Sequence, residues 1–178
     1  MLLRSLVLKT CTLVLAASSL AAVAQDAPKK LPSPPATASA DLGSAAITIT
    51  YNSPSIRGRK IMGGLVPYGQ VWRTGANPAT TIVTTADLKI GTLSVPAGTH
   101  TIYTLPGESQ WLLIINNQTG QWGTEYTEAK DLGRTPLTSK PLSSPQEAMS
   151  ISFEHTTPTS TELHIRWETT DEYVTISK

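Results

Sequence analysis

Cysteine is nearly absent from this chain of 178 residues, in which Cys11 is the only one. Cys11 lies in an N-terminal segment where Arg4 and Lys9 precede an uncharged run from Thr12 to Ala24. Cations, a short apolar core and the small-residue pattern at its end are typical of a secretory signal peptide, so we predict that residues 1–24 are removed by cleavage before Gln25. The processed protein would then contain no thiol, which excludes disulfide bonds and thiolate metal ligands.

A strong excess of one charge is also missing, because 14 Lys and Arg stand against 13 Asp and Glu. Nucleic-acid grooves need a clear basic excess, so we predict no nucleic-acid partner. The uncharged run at the N-terminus is shorter than the roughly 20 apolar residues of a spanning helix. We therefore expect a bacterial periplasmic or secreted protein that does not span the membrane. The sequence specifies no oligomeric state.

No segment after residue 40 sustains the apolar period of a helix. Residues 25–40 contain four prolines among small and polar residues, and we interpret them as a Pro-rich linker. From residue 41 to 178, Thr, Val and Ile often occupy alternate positions, which favours strands. We predict an all-β fold for this domain: an antiparallel β-sandwich or jelly-roll-like barrel of about eight or nine short strands.

Alternation also predicts where individual strands lie. A change of apolar parity at Gly91-Thr92 indicates a two-residue turn or a bulge. Residues 123–144 are predicted to be irregular, with a helical turn at 125–130, and Asp171-Glu172 to be a charged turn. The predicted strands are 46–51, 70–76, 80–85, 88–90, 99–105, 111–115 and 173–177. A hairpin folded about Pro158 should pair Phe153 with Leu163, Ile151 with Ile165, and Met149 with Trp167.

Histidine is scarce as well, with only three in the chain. In the predicted hairpin His155 and His164 point to opposite faces, so we expect them not to share a metal ion without a bulge. His164 is predicted to lie in a solvated ladder of charges. His100 follows a turn at the start of a strand, where it could line a cleft.

The usual signatures of catalysis and cofactor binding are missing. The chain has no G-x-S-x-G elbow, no H-E-x-x-H motif, no EF-hand loop and no phosphate-binding glycine loop. We therefore predict no catalytic residue, no metal and no cofactor.

One stretch, from Arg57 to Asn77, concentrates cations, glycines and aromatic residues. Its arginines could bind a carboxylate, sulfate or phosphate, and its aromatic and amide side chains could bind a sugar or another polar ring. The alternative is structural, because arginines also tie long loops to carbonyl groups and a tryptophan here could belong to the core. The candidate ligand-binding residues are Arg57, Arg59, Tyr68, Trp72, Arg73 and Asn77.

The same stretch carries a resemblance to a known family. R-G-R-K-I-x-G-G-L-V-P-Y-G-x-V-W-R-T-G-A-N, followed by L-x-V-P-A-G-T and W-x-x-I-x-N, resembles the bacterial secreted family catalogued as domain of unknown function 2911. The similarity runs from about Asp41 to Trp167. This family brings no assigned activity. Its members often have Glu where this chain has Pro78, and an aromatic residue where it has His100.

Three functions remain open from the sequence. The leading hypothesis is a non-catalytic exported module that binds a small polar or anionic ligand, or an envelope glycan, through the six residues above. The second is a glycan-active enzyme that uses His100 with a carboxylate such as Glu108. The third is a structural or interaction domain.

Overall fold

The computed structural model describes residues 32–178, so the predicted signal peptide and residues 25–31 of the predicted linker lie outside the described residues. Within them, ten strands and one short 3-10 helix, Glu128–Lys130, follow one another. The strands are β1 Pro35–Asp41, β2 Ala46–Asn52, β3 Thr80–Thr84, β4 Leu88–Ile90, β5 Leu93–Val95, β6 Gly98–Leu105, β7 Leu112–Asn116, β8 Asp131–Pro136, β9 Thr138–Glu154 and β10 Ser160–Ser177.

The strands form two antiparallel sheets that pack as a sandwich. The larger sheet has the order β1-β2-β3-β6-β7-β8, and the smaller one has the order β5-β4-β10-β9. The all-β sandwich prediction is confirmed, and the sheets are not closed into a barrel. The expectation of uniformly short strands is wrong, since β9 and β10 contain 17 and 18 residues.

The core lies between the sheets, and alternation along the strands fills it. In β2 the buried side chains are Ile47, Ile49 and Tyr51, as the sequence predicts. Full burial of a side chain the size of isoleucine contributes roughly 1.5–3 kcal/mol. A smaller cluster of Ala79, Tyr103 and Ile114 is separate from this main core. Strand β7 contributes to both clusters, which explains why its sequence is continuously apolar.

The predicted linker extends too far along the chain, because it includes most of strand β1. Strand β1, part of which was assigned to that linker, pairs along its whole length with β2, from Pro35 opposite Asn52 to Asp41 opposite Ala46. Its small and polar side chains alternate in exposure without entering the centre of the core. Because β1 is an edge strand that begins at a proline, backbone pairing holds it in the sheet without an apolar sequence pattern.

Two other segments differ from prediction. Residues 70–76 form no strand and make a single bridge, between Trp72 and Thr104. Residues 123–144, predicted to be irregular, contain the 3-10 helix, β8 and the start of β9. Strand β8 lies at a sheet edge and is poor in large apolar residues, so periodicity does not reveal it. The turn at Gly91-Thr92 is confirmed: it joins β4 to β5 with Ile90 opposite Leu93.

The predicted β9–β10 hairpin is largely correct. Phe153 lies opposite Leu163 and Ile151 opposite Ile165, but the register shifts after Arg166. Met149 therefore does not pair with Trp167 as predicted. The Met149 amide instead donates to the Pro54 carbonyl at 2.8 Å, which ties β9 to the loop that follows β2.

Strand β10 turns back on itself near Glu168, whose φ is 54°. In a straight strand His164 and Asp171 would lie about 23 Å apart, at roughly 3.3 Å per residue. Their side chains are instead 2.8 Å apart, and the rings of His164 and Tyr173 stack with centroids 5.0 Å apart. The prediction that Asp171 and Glu172 form a charged turn is therefore wrong. Asp171 faces His164 from the returning part of β10.

Candidate functional site

The loop between β2 and β3 lines a cavity of about 260 Å³ together with the bend of β10. We call it the arginine-tryptophan cavity. Its lining comprises Ser33, Pro54, Arg59, Leu65, Trp72, Arg73, Gly75, Ala76, Asn77 and Trp167. Four of the six predicted ligand-binding residues therefore share one concave surface: Arg59, Trp72, Arg73 and Asn77.

Trp72 forms the aromatic wall of this cavity. Its ring stacks on Trp167 with centroids 5.8 Å apart and an interplanar angle of 17°, and meets the edge of Trp111 at 6.3 Å. Its backbone exchanges two hydrogen bonds with Thr104 in β6, at 2.8 and 2.9 Å. Trp72 is thus fixed to both sheets, and it belongs partly to the core and partly to the cavity.

The turn after Trp72 directs Arg73 and Asn77 toward the cavity. Thr74 and Asn77 adopt positive φ angles of 53° and 61°. Thr74 is fully buried, its hydroxyl lies 3.2 Å from that of Thr104, and its carbonyl accepts a hydrogen bond from Thr80 at 2.9 Å. These buried hydrogen bonds hold a backbone conformation that non-glycine residues rarely adopt.

The segment Gln121-Trp122-Gly123 holds the other side of this turn. The Gly123 amide donates to the Asn77 carbonyl at 3.1 Å, and Pro78 forms a bridge with Trp122. A Cβ at position 123 would collide with the Arg73 side chain and would lie 2.7 Å from the Asn77 carbonyl oxygen. The absence of a side chain at Gly123 therefore makes room for the stem of Arg73.

Arg73 retains unused hydrogen-bonding capacity. Its Nε donates to the Gly75 carbonyl at 3.3 Å, and no group within residues 32–178 accepts a hydrogen bond from its Nη atoms. The Asn77 amide has no side-chain partner in the same part of the chain, and none of these atoms is a buried unsatisfied group. Solvent therefore reaches a guanidinium and an amide that lie beside an indole ring.

The three other candidate residues, Arg57, Arg59 and Tyr68, differ from Arg73 in their position or in their contacts. Arg57 donates to the Pro32 carbonyl at 2.5 Å and does not line the cavity. Arg59 lines it but donates to the Ile56 and Ser55 carbonyls, at 3.0 and 2.6 Å. Tyr68 is exposed and lines a different cavity. Arg59 therefore fits the structural alternative raised from the sequence, and Arg57 is set apart from Arg73 by its position outside the cavity.

The region of the chain that matches a known family covers nearly the whole sandwich. The model of a family described as "Protein of unknown function (DUF2911)" matches residues 33–176. The chain belongs to this family. The match begins just before β1 of the DUF2911 domain and ends within β10, so it includes both the cavity and its supporting segments. Searches of the curated proteins and of the solved structures give no significant match.

His100 does not support the enzyme hypothesis. It is 6% exposed, and its ring nitrogens lie 3.2 Å from the Asn117 side-chain oxygen and 3.0 Å from the Pro96 carbonyl. Glu108 is not among its hydrogen-bond partners and lines a cavity to which His100 does not contribute. The expectation that His100 lines a cleft is therefore wrong, because both ring nitrogens are used to join β6 to neighbouring loops.

The structure contains a cluster of charged residues on β9 and β10 that the sequence did not predict. His164 is 4% exposed, which contradicts the prediction of a solvated ladder. Arg166 binds Glu154 through both Nη atoms and Asp171 through Nε at 2.9 Å. These hydrogen bonds lower the pKa of Glu154 to about 2 and raise that of Arg166. We call Glu154, His155, Glu162, His164, Arg166 and Asp171 the histidine-carboxylate cluster.

The two histidines of this cluster also meet, contrary to prediction. Strand β9 ends at Glu154, and His155 has a φ of 50°, so the alternation of the strand no longer governs its direction. His155 Nδ1 lies 2.8 Å from Glu162 Oε2, and His164 Nε2 lies 3.3 Å from the same oxygen. The hydrogen bond from His155 is the largest cause that lowers the pKa of Glu162.

Glu172 is an isolated buried carboxylate on the opposite side of the strand from Asp171. It is 2% exposed, lines a cavity of about 250 Å³ with Glu108 and Tyr68, and accepts hydrogen bonds from Ser139 at 2.7 Å. Burial raises its pKa to about 6. No cation forms an ion pair with it within residues 32–178, in contrast to Asp171 beside it.

Proposed function

We propose that this DUF2911 protein is an exported, non-catalytic binding module that holds a small anionic ligand in the arginine-tryptophan cavity. The observation that carries the proposal is the guanidinium of Arg73, whose accessible Nη atoms have no acceptor among the described residues. A planar guanidinium is suited to bidentate binding of a carboxylate, sulfate or phosphate. Asn77 adds a neutral donor and acceptor next to it.

The indole ring of Trp72 favours a ligand with a flat or apolar face beside its anionic group. A cavity of about 260 Å³ is at the small end for organic ligands, so it suits a single sugar-sized ring. We infer that an acidic monosaccharide unit, as occurs in envelope glycans, satisfies both walls. A ligand that has a carboxylate but no ring would contact only Arg73 and Asn77.

A thermal-shift experiment with paired ligands tests this proposal. Glucuronate and glucose differ at the carboxylate, and sulfate supplies the anion without the ring. We expect glucuronate to raise Tm by about 4 °C at saturating concentration, sulfate to raise it less, and glucose to have little effect. Ionic strength is held constant with NaCl, because screening alone changes exposed charge interactions.

Three variants locate the site. Arg73→Gln and Asn77→Asp should abolish the glucuronate shift, the second by placing a carboxylate in the cavity with almost no change of shape. Arg57→Gln removes one cation outside the cavity and should retain the shift. Equal shifts in all variants, or no shift from any anion in the parent protein, would overturn the proposal and favour a structural or interaction domain.

Export is a separate part of the proposal and needs its own test. It rests on the N-terminal sequence. Residues 32–178 contain no helix with the length and apolar character of a membrane span. Cells that express the full chain are fractionated, and the product is sequenced from its N-terminus. We expect the periplasmic or secreted product to begin at Gln25. Retention of uncut protein with the cytoplasmic fraction would refute export.

A further inference from the structure

The histidine-carboxylate cluster contains three side chains with the spacing of metal ligands. His155, Glu162 and His164 each offer one ligand atom, and these atoms all lie within 4.8 Å of one another. Because the core residues of β10 are Leu163, Ile165 and Trp167, the alternate residues Glu162 and His164 project from the other face of the sheet. We propose that the three side chains form a binding site for a divalent transition metal ion, for which Zn²⁺ fits best.

The distances suit this ion. Zn²⁺ binds imidazole nitrogen and carboxylate oxygen at about 2.0–2.2 Å, which places two ligands of a tetrahedron about 3.3 Å apart. His164 Nε2 and Glu162 Oε2 are already 3.3 Å apart. His155 Nδ1 is 2.8 Å from the same oxygen, and its side chain is 75% exposed, so it can move outward by the required half ångström or so. Two imidazoles and one carboxylate form a donor set that favours zinc over calcium or magnesium.

Asp171 supplies an independent observation that points to a cation. Its buried carboxylate lies 2.8 Å from His164 Nδ1 and can only accept a hydrogen bond, whereas the donor Arg166 Nη2 is farther from Nδ1, at 3.2 Å, so we assign the hydrogen to Nδ1. In the neutral imidazole, the lone pair of Nε2 then faces the Glu162 carboxylate oxygen. Two electron-rich atoms at this distance need a positive charge between them, and either a metal ion or an added proton on Nε2 can supply it. The carboxylate–histidine–metal arrangement is the usual way in which a protein orients such a ligand.

The net negative charge of the cluster also favours a bound cation. Arg166 donates to Glu154 and Asp171 but not to Glu162. Glu154 and Glu162 are directly opposite each other across the β9–β10 ladder, an arrangement that like charges make unfavourable. With both imidazoles neutral, three carboxylates and one guanidinium leave a formal charge of −2. A divalent cation at Glu162 neutralises it.

The site would leave one coordination position open. Glu154 Oε2 is 3.7 Å from His164 Nε2, but its carboxylate is held by Arg166, so it is not free to become a fourth ligand. Three protein ligands and a water molecule in the fourth position complete a tetrahedron. Because His155 is exposed, that water faces the solvent at the turn between β9 and β10.

Calorimetry and Co²⁺ spectroscopy test this site in purified protein that lacks a histidine tag and has been treated with a chelator. We expect one Zn²⁺ to bind per chain, and Co²⁺ to give the intense visible absorption of a four-coordinate complex. His155→Ala and Glu162→Gln should each weaken Zn²⁺ binding at least about tenfold. His155 is exposed and lies in a turn, so circular dichroism should show an unchanged fold in its variant.

Glu128→Gln is the matched control, because the Glu128 side chain is also 75% exposed and binds Arg134 rather than the cluster. It should leave Zn²⁺ affinity unchanged. Absence of saturable Zn²⁺ binding in the parent protein would overturn the proposal. Equal affinity in the parent protein, His155→Ala and Glu162→Gln would do the same, since the metal would then bind elsewhere.

Discussion

Arg73 and Arg166 occupy contrasting surroundings in the same domain. Among residues 32–178, Arg166 donates from Nε and both Nη atoms to two carboxylates, whereas Arg73 donates only from Nε, to a single carbonyl group. One guanidinium is therefore a structural part of the sheet, and the Nη donors of the other have no acceptor within residues 32–178. A high density of cations therefore does not by itself mark a binding site, because hydrogen bonds within the protein can engage the same donors.

Replacement of Arg166 should destabilise the protein far more than replacement of Arg73. Arg166→Met leaves the carboxylates of Asp171 and Glu154 without their cation, and we expect it to lower the free energy of unfolding by about 3 kcal/mol. Arg73→Met keeps the stem that packs against Gly123 and should cost less than about 1 kcal/mol. Urea denaturation at pH 7 measures both changes. Equal losses in the free energy of unfolding would contradict the different roles assigned to the two arginines.

Gly123→Ala tests how the cavity holds Arg73. The added methyl group would collide with the Arg73 side chain and crowd the Asn77 carbonyl oxygen, so we expect a loss of about 1–3 kcal/mol of stability together with the loss of anion binding. Combining it with Arg73→Ala removes the side-chain collision. The double variant should therefore recover part of the stability and none of the binding. A single variant that binds anions normally would show that Arg73 needs no such support.

Glu172 should respond to pH because, unlike the adjacent Asp171, it has no cation beside it within residues 32–178. The folded protein raises the pKa of Glu172 from 4.5 to about 6, so this group favours the folded state fully only below pH 4.5 and loses that contribution as the pH rises through 6. The shift corresponds to at most about 2 kcal/mol. Glu172→Gln should therefore stabilise the protein at pH 8 and have little effect at pH 4.

Urea denaturation of the parent protein and Glu172→Gln at the two pH values measures this difference. The amide retains an oxygen that can accept the Ser139 hydrogen bond, which limits other changes. The same difference in stability at both pH values would contradict an origin in the ionisation of Glu172.

Most of the fold could be predicted because β2 and the β9–β10 hairpin alternate apolar and polar side chains, and because β7 is continuously apolar. Strand β1 could not, since an edge strand of alanine, serine and threonine is held by backbone hydrogen bonds that a linker sequence equally permits. The turn of β10 at Glu168 also lacked a signal. A glutamate at positive φ has no sequence signature comparable to glycine, and without that turn Asp171 and His164 seem far apart.

The candidate site was also only partly predictable from the sequence. Its residue types were visible in the stretch from 57 to 77, but the partners that separate Arg57 from Arg73 come from distant segments. Pro32 binds the first, and Gly123 accommodates the second. The metal-ligand spacing of His155, Glu162 and His164 depends on the positive φ of His155, which alternation along a strand does not anticipate.

The tryptophan arrangement has an optical consequence. Trp72 and Trp167 are nearly parallel at 5.8 Å, close enough for their strong far-ultraviolet transitions to couple and give a paired band in the far-ultraviolet circular dichroism spectrum. Both rings line the arginine-tryptophan cavity, whereas Trp122, at 50% exposure, does not. A molecule that enters the cavity should therefore change the coupled band while the Trp122 emission stays constant, so the protein contains its own label-free reporter of occupancy.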